Sequence, residues 1–103
     1  MSGYIWIGTD NGLYRYDGSE FTLFSLDGDE DATKYSINCI YLTSDEKLYV
    51  GTDNYGLYMY DNGTFQRVSE MYNLGVSSIN AMYEDDNKNL WIADQIRFDS
   101  RFF

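Results

Sequence analysis

The stretch IWIGTDNGLYRYD at residues 5–17 returns later in the chain as LYVGTDNYGLYMYD at residues 48–61. The two copies agree over Gly-Thr-Asp-Asn and, after the inserted Tyr55, again over Gly-Leu-Tyr. A second block precedes the glycine block, because SINCIYLTSDEKL at residues 36–48 matches SINAMYEDDNKNL at residues 78–90. A repeat of this kind, spaced at 42 to 44 residues, indicates one supersecondary unit used several times.

Each repeat is rich in residues that favour short β-strands. Aromatic residues make up 18% of the chain and proline is absent, and aromatic residues suit pleated, half-buried surfaces. The runs Ile5-Trp6-Ile7 and Leu48-Tyr49-Val50 are apolar without alternation, which predicts a sheet covered on both faces. Gly8 and Gly51 end these runs, where we expect a bend or a close neighbouring backbone.

These features predict an all-β fold made of β-propeller blades, each a four-stranded antiparallel sheet. The chain of 103 residues would hold about two and a half blades and form an incomplete ring. We expect a single partial propeller over residues 1–103. Residues 1–27 would supply the second to fourth strands of a first blade, 36–71 a complete blade, and 78–103 the start of a third, degraded blade. A short helix is expected near Glu70–Leu74, and a plain β-sandwich is the alternative fold.

The third copy of the glycine block departs from the other two. It begins at Leu90 as LWIAD, with Ala93 in place of the glycine, and degrades to QIRFDSRFF. The core between the blades is expected to contain the large apolar residues Trp6, Ile7, Val50, Leu57 and Ile92.

Composition excludes several classes of function. A net charge of −10 repels phosphate backbones and disfavours nucleic-acid binding. The chain has no histidine, so a Ser-His-Asp triad is impossible and the commonest metal ligand is missing. The single cysteine, Cys39, permits no internal disulfide and is expected to be a small core residue. We expect no catalytic, metal or cofactor site, and no membrane-spanning segment or signal peptide is visible.

Two acidic stretches are candidate metal or catalytic sites. Asp27–Asp31 fails as an EF-hand loop because Ala32 and Asn38 stand where glycine and glutamate are required. Glu84–Asp86 is interpreted as a hairpin turn. The sialidase Asp-box pattern fits only at Asp86 and Trp91, since Glu84, Lys88 and Leu90 occupy its other positions.

Aromatic side chains that can stack on sugars are also assigned mainly to packing between blades. This set comprises Trp6, Tyr14, Tyr16, Tyr49, Tyr58, Tyr60 and Trp91.

The glycine block at residues 5–17, together with SINAMYEDDNKNLWI at residues 78–92, resembles the two-component regulator propeller repeat. The resemblance implies a non-catalytic, ligand-sensing module of a hybrid two-component signalling protein, extracytoplasmic and carbohydrate-responsive, with a ligand site that the sequence leaves unknown. The alternative is a structural or protein-interaction propeller without a small-molecule ligand, and a propeller hydrolase is a third possibility. We also expect a homo-oligomer formed through blade faces and strand edges, in which Ser78–Glu84 of one chain lies beside Tyr4–Leu26 of another.

Overall fold

The computed structural model describes residues 4–28, 30–68, 78–93 and 98–99. The described residues form ten strands in three antiparallel sheets. The first sheet contains β1 (Ile5–Thr9), β2 (Gly12–Tyr16) and β3 (Phe21–Phe24) in that order. The second contains β4 (Ile37–Leu42), β5 (Leu48–Thr52), β6 (Leu57–Asp61) and β7 (Thr64–Arg67). The third contains β8 (Ala81–Glu84), β9 (Leu90–Ala93) and β10 (Phe98–Asp99).

This arrangement confirms the predicted all-β fold of propeller blades. The second sheet has four strands in sequence order, each paired with the next, as a propeller blade requires. Its outer hairpin turns at Asn62 and Gly63, which both have positive φ, the geometry that an Asn-Gly turn of type I′ needs. A 3₁₀ helix at Ala32–Lys34 links the first two blades, whereas the helix expected near Glu70–Leu74 lies outside the described residues.

The apolar run Leu48-Tyr49-Val50 contributes to two separate cores, one on each face of the second blade. The first core lies between the first and second blades and is built from Leu13, Leu26, Tyr35, Ile37, Leu48, Val50, Tyr58 and Phe65. The second core lies between the second and third blades and contains Tyr49, Leu57, Val68, Ile79, Leu90 and Ile92. Because Tyr49 and Val50 enter opposite cores, β5 is buried along its whole length.

Gly8 and Gly51 make room for an isoleucine of the next blade. A Cβ atom added to Gly8 would lie 2.5 Å from Cγ2 of Ile37, and one added to Gly51 would lie 2.8 Å from Cγ2 of Ile79. The expected close neighbour is therefore a side chain rather than a backbone. Ile37 and Ile79 hold the same place in successive repeats, so a glycine that accepts an isoleucine is the repeated contact between blades.

The predicted core residues divide by blade. Val50, Leu57 and Ile92 are buried as expected. Trp6 and Ile7 were also predicted to be buried between blades, but both are only half-buried. Trp6 packs against the first core, while Ile7 is at the position of Val50 and so faces away from the second blade, where the described residues provide no cover.

Candidate functional site

The glycine block forms a turn held by its threonine in both complete copies, and the second turn is longer by the inserted Tyr55. Thr9 Oγ1 donates to the carbonyl of Gly12 at 2.8 Å and accepts from the Asn11 amide at 3.0 Å. In the second copy Thr52 Oγ1 donates to the carbonyl of Gly56 at 2.7 Å and accepts from the Tyr55 amide at 3.1 Å. The threonine hydroxyl thereby links the end of the strand to the turn. The Asp-Asn pair lies at the surface.

Serine side chains connect these turns to the next blade. Ser78 Oγ donates to Asp53 Oδ1 at 2.8 Å and accepts from the Asn54 amide at 3.1 Å. Ser36, the preceding copy of Ser78, donates from Oγ to Asp10 Oδ1 at 3.5 Å. The Ser-Ile-Asn block and the Gly-Thr-Asp-Asn block thus meet across each blade boundary.

An asparagine follows each serine by two residues, and in β4 a β-bulge presents it. The pairing of β4 with β5 shifts between Ile37 and Cys39, so Asn38 is the extra residue of the bulge. Bulges redirect a side chain and occur often beside binding sites. Asn38 and Asn80 are both exposed, and Asn38 Nδ2 donates to Asn80 Oδ1 at 3.3 Å.

Together these groups form one surface of carboxylates, hydroxyls and amides, which we call the polar rim. The polar rim consists of Asp10, Ser36, Asn38, Asp53, Ser78 and Asn80. It presents donors and acceptors that are suited to a hydroxyl-rich ligand. The sequence analysis named no ligand-binding residues; the recurrence of Ser-x-Asn 42 residues apart is the signal that could have found them.

At the opposite end of the blades, Glu84 forms hydrogen bonds between the second and third blades. Its carboxylate accepts from the Ser44 amide at 2.8 Å and from Ser44 Oγ at 3.0 Å, while its backbone amide donates to Tyr41 Oη at 3.1 Å. These bonds join the second and third blades, so Glu84 is a connecting residue in this structure.

Asp85, rather than Asp86, organises the hairpin turn of the third blade. Asp85 accepts from the Trp91 indole at 2.9 Å and from the amides of Asn87 and Asn89, each at 2.9 Å. These bonds, led by the indole, hold the pKa of Asp85 below its usual range. The Asp-box alignment had matched Asp86 to the aspartate, but Asp86 is exposed; the turn interpretation of Glu84–Asp86 agrees with these bonds.

The candidate sugar-stacking aromatics are mostly unavailable. Tyr49 and Tyr58 are buried, and Trp6 and Tyr60 pack against the first core with ring centroids 5.2 Å apart. Tyr14, Tyr16 and Trp91 keep part of their surface exposed. Packing therefore accounts for most of the repeated aromatic positions.

Asp31 and Cys39 both have structural contacts in the described residues. Asp31 accepts from the amide and hydroxyl of Thr33 and so caps the 3₁₀ helix. Within residues 4–28, 30–68 and 78–93, no group of three acidic or cysteine side chains is placed to hold a metal ion. Burial raises the pKa of the Cys39 thiol to about 11, which keeps it protonated at neutral pH.

No helix among the described residues is long and apolar enough to cross a membrane.

Comparison with known proteins agrees with the repeat analysis. A family model described as "Two component regulator propeller" matches residues 73–95, which include the Ser-Ile-Asn block, β8, the Asp85 turn and β9. No curated protein shows significant similarity to the chain. Residues 73–95 thus match the two-component regulator propeller repeat, the family that the sequence resemblance named.

Proposed function

We propose that this chain is a non-catalytic, ligand-sensing part of a two-component regulatory protein. The family match supports its membership of such a regulator. The polar rim supports ligand recognition, because it repeats the same hydrogen-bonding groups at successive blade boundaries. The single observation that carries the proposal is the contact between Asn38 and Asn80.

The chemistry of the rim favours a carbohydrate ligand. Sugar hydroxyls both donate and accept hydrogen bonds, as do asparagine amides and serine hydroxyls. A net charge of −10 disfavours phosphate-bearing ligands and nucleic acids. A carbohydrate sensor of this kind would act outside the cytoplasm, and we propose a periplasmic location on the basis of the family resemblance.

Glycan binding by the full chain tests the proposal. The wild-type chain should retain one or more neutral oligosaccharides on a glycan array, and Asn38→Ala with Asn80→Ala should lower that affinity at least tenfold. Asn87→Ala is the matched control, since Asn87 is an exposed asparagine in the hairpin turn of the third blade. Retention that is unchanged in the double variant, or no retention of any glycan, would contradict the carbohydrate proposal.

A structural or protein-interaction module is the second candidate. It is favoured by the exposed apolar side chains of the first blade, among them Ile5 and Phe21 at 60% and 65% exposure. A propeller that serves assembly would bind a protein through that blade and would not bind glycans. Retention on the glycan array therefore distinguishes the two candidate functions.

A further inference from the structure

In the part of the chain that the structure describes, no strand pairs with the inner edge of the first blade and no side chains cover its outward face. Among the described residues β1 pairs only with β2, whereas β5 at the same repeat position has partners on both sides. Ile5 is 60% exposed, while Leu90 at the same position of the third blade is 2% exposed. Ile7 is half-buried, while Ile92 is 1% exposed. Ile5 and Ile7 therefore occupy core positions of the repeat, but no core covers them among the described residues.

A buried donor marks the same edge. Trp6 Nε1 is buried and has no acceptor among the described residues, although a buried polar group normally has a partner. Trp91 holds the equivalent position in the third blade, and its indole donates to Asp85 at 2.9 Å. Asp85 lies in the turn between β8 and β9, so the acceptor that Trp6 lacks comes with an inner strand.

The outward face of the first blade also repeats a known contact surface. Tyr16 and Phe21 pack against each other with centroids 4.6 Å apart, as Tyr60 and Phe65 do at 5.1 Å in the second blade. Phe65 is 9% exposed in the first core, whereas Phe21 is 65% exposed. A groove of about 210 Å³, lined by Gly8 and Ile37–Ile40, runs beside this open edge.

We propose that a second copy of this chain completes the first blade, with β1–β3 of one copy displacing β9–β10 of the other. The incoming β1 pairs with β8, and Ile5 and Ile7 take the places of Leu90 and Ile92 in the second core. Trp6 Nε1 then reaches Asp85, as Trp91 does within one chain. This one occupant pairs with the open edge, covers the open face and provides an acceptor for the Trp6 indole.

The displaced strands form the shorter sheet among the described residues. The third copy of the repeat has Ala93 in place of glycine, and in the part of the chain that the structure describes β10 pairs with β9 at two positions. The incoming sheet is already formed, with five paired positions between β1 and β2 and four between β2 and β3, and Gly8 replaces Ala93. The contact is heterologous, so it builds rings or open rows with about two blades per chain.

Sedimentation equilibrium of the full chain over a range of concentrations tests the exchange. We expect species above 12.0 kDa that increase with concentration and with salt, because salt screens the repulsion between acidic copies. Phe21→Lys should weaken the self-association and raise its dissociation constant at least tenfold. Thr22→Lys is the matched control on the same strand: Thr22 is exposed and lies on the opposite face, so it should leave association unchanged.

A disulfide trap distinguishes strand exchange from simple contact between blade faces. In the exchanged register Ile5 lies opposite Glu84, the position that Leu90 has within one chain. Mixing Ile5→Cys and Glu84→Cys chains on a Cys39→Ser background with oxidised glutathione should give covalent heterodimers, while Thr22→Cys with Glu84→Cys should not. Trp91→Ala should increase association, because it weakens the strand to be displaced.

Three results would overturn the proposal: a monomer of 12.0 kDa at the highest concentration, association that Phe21→Lys leaves unchanged, or oligomers that form no Ile5–Glu84 crosslink. The proposal does not rest on glycan binding, since all three measurements are made without ligand.

Discussion

Asn38 and Asn80 occupy the same place in successive repeats, and their side-chain amides are hydrogen-bonded to each other across the blade boundary at 3.3 Å. Each amide retains groups that can bond elsewhere, because Asn38 keeps its oxygen and Asn80 keeps its NH₂. A row of such amides along the inner strands would present the same donors and acceptors at each blade. This is why we place ligand recognition at the polar rim.

Adding a methyl group at Gly51 should destabilise the chain. The new Cβ would lie 2.7 Å from Cys39 Sγ and 2.8 Å from Ile79, and overpacking a core costs about 1–3 kcal/mol. Urea unfolding of Gly51→Ala measures this loss. Ala93→Gly is the reciprocal variant and should change the free energy of unfolding by less than about 1 kcal/mol. Equal effects of the two variants would contradict the glycine–isoleucine contact.

Glycine at position 46 or 88 should stabilise the chain. Glu46 and Lys88 both have φ of 64°, a left-handed conformation that costs a residue with a Cβ about 1 kcal/mol. Glu46→Gly and Lys88→Gly should each raise the melting temperature by a few degrees, by about 4–8 °C per kcal/mol at this size. Lys47→Gly, one residue along the same turn, should not raise it; a rise there would point to some other cause.

Acid should destabilise the third blade through Asp85. The hydrogen bond from Trp91 is the largest cause that lowers the Asp85 pKa in the folded state. A lowered pKa gives stability that is present above the unfolded pKa of about 3.9 and is lost as the pH falls through the folded pKa. Thermal unfolding of wild type between pH 6 and pH 2 should therefore show a steeper decline than that of Asp85→Asn.

Asp86→Asn is the control for this experiment, because Asp86 is the exposed neighbour of Asp85. It should keep the pH dependence of wild type. If the Asp85 and Asp86 variants behaved alike, the bond between Asp85 and the indole would not be what links stability to pH.

Truncating a core leucine should cost far more than truncating a surface one. Leu57 is fully buried in the second core, while Leu23 is 39% exposed on the first blade. Leu57→Ala should lower the free energy of unfolding by about 2–5 kcal/mol. Chemical unfolding compares the two variants at a concentration at which both are monomeric. A comparable loss for Leu23→Ala would show that the outward face of the first blade is already covered in the monomer.

The repeat allowed the blades to be predicted from the sequence. The hydrogen bonds between blades could not be predicted in this way. Runs such as Leu48-Tyr49-Val50 indicate a sheet covered on both faces, and β5 is buried along its length. The contact between Asn38 and Asn80 depends on a bulge, which alternation alone does not reveal. Asp85 was missed because the Asp-box alignment placed the aspartate one residue later, while its repeat equivalent Thr43 bonds the Lys47 amide at 2.9 Å as Asp85 bonds that of Asn89.

The partial exposure of Ile7 also escaped the sequence analysis. Repeat equivalence assigns the same environment to each copy, so Ile7 was expected to be as buried as Val50. The actual burial depends on what lies beside the first blade, which a repeat pattern does not specify.

Binding at the polar rim is tested most directly by nuclear magnetic resonance of the ¹⁵N-labelled chain during titration with neutral oligosaccharides. Our account predicts that the side-chain amide signals of Asn38 and Asn80 shift together and saturate, that the Asn87 signal stays in place, and that the oligosaccharide is recovered intact. Unmoved Asn38 and Asn80 signals with every glycan, or shortened products in the sample, would contradict a non-catalytic carbohydrate sensor.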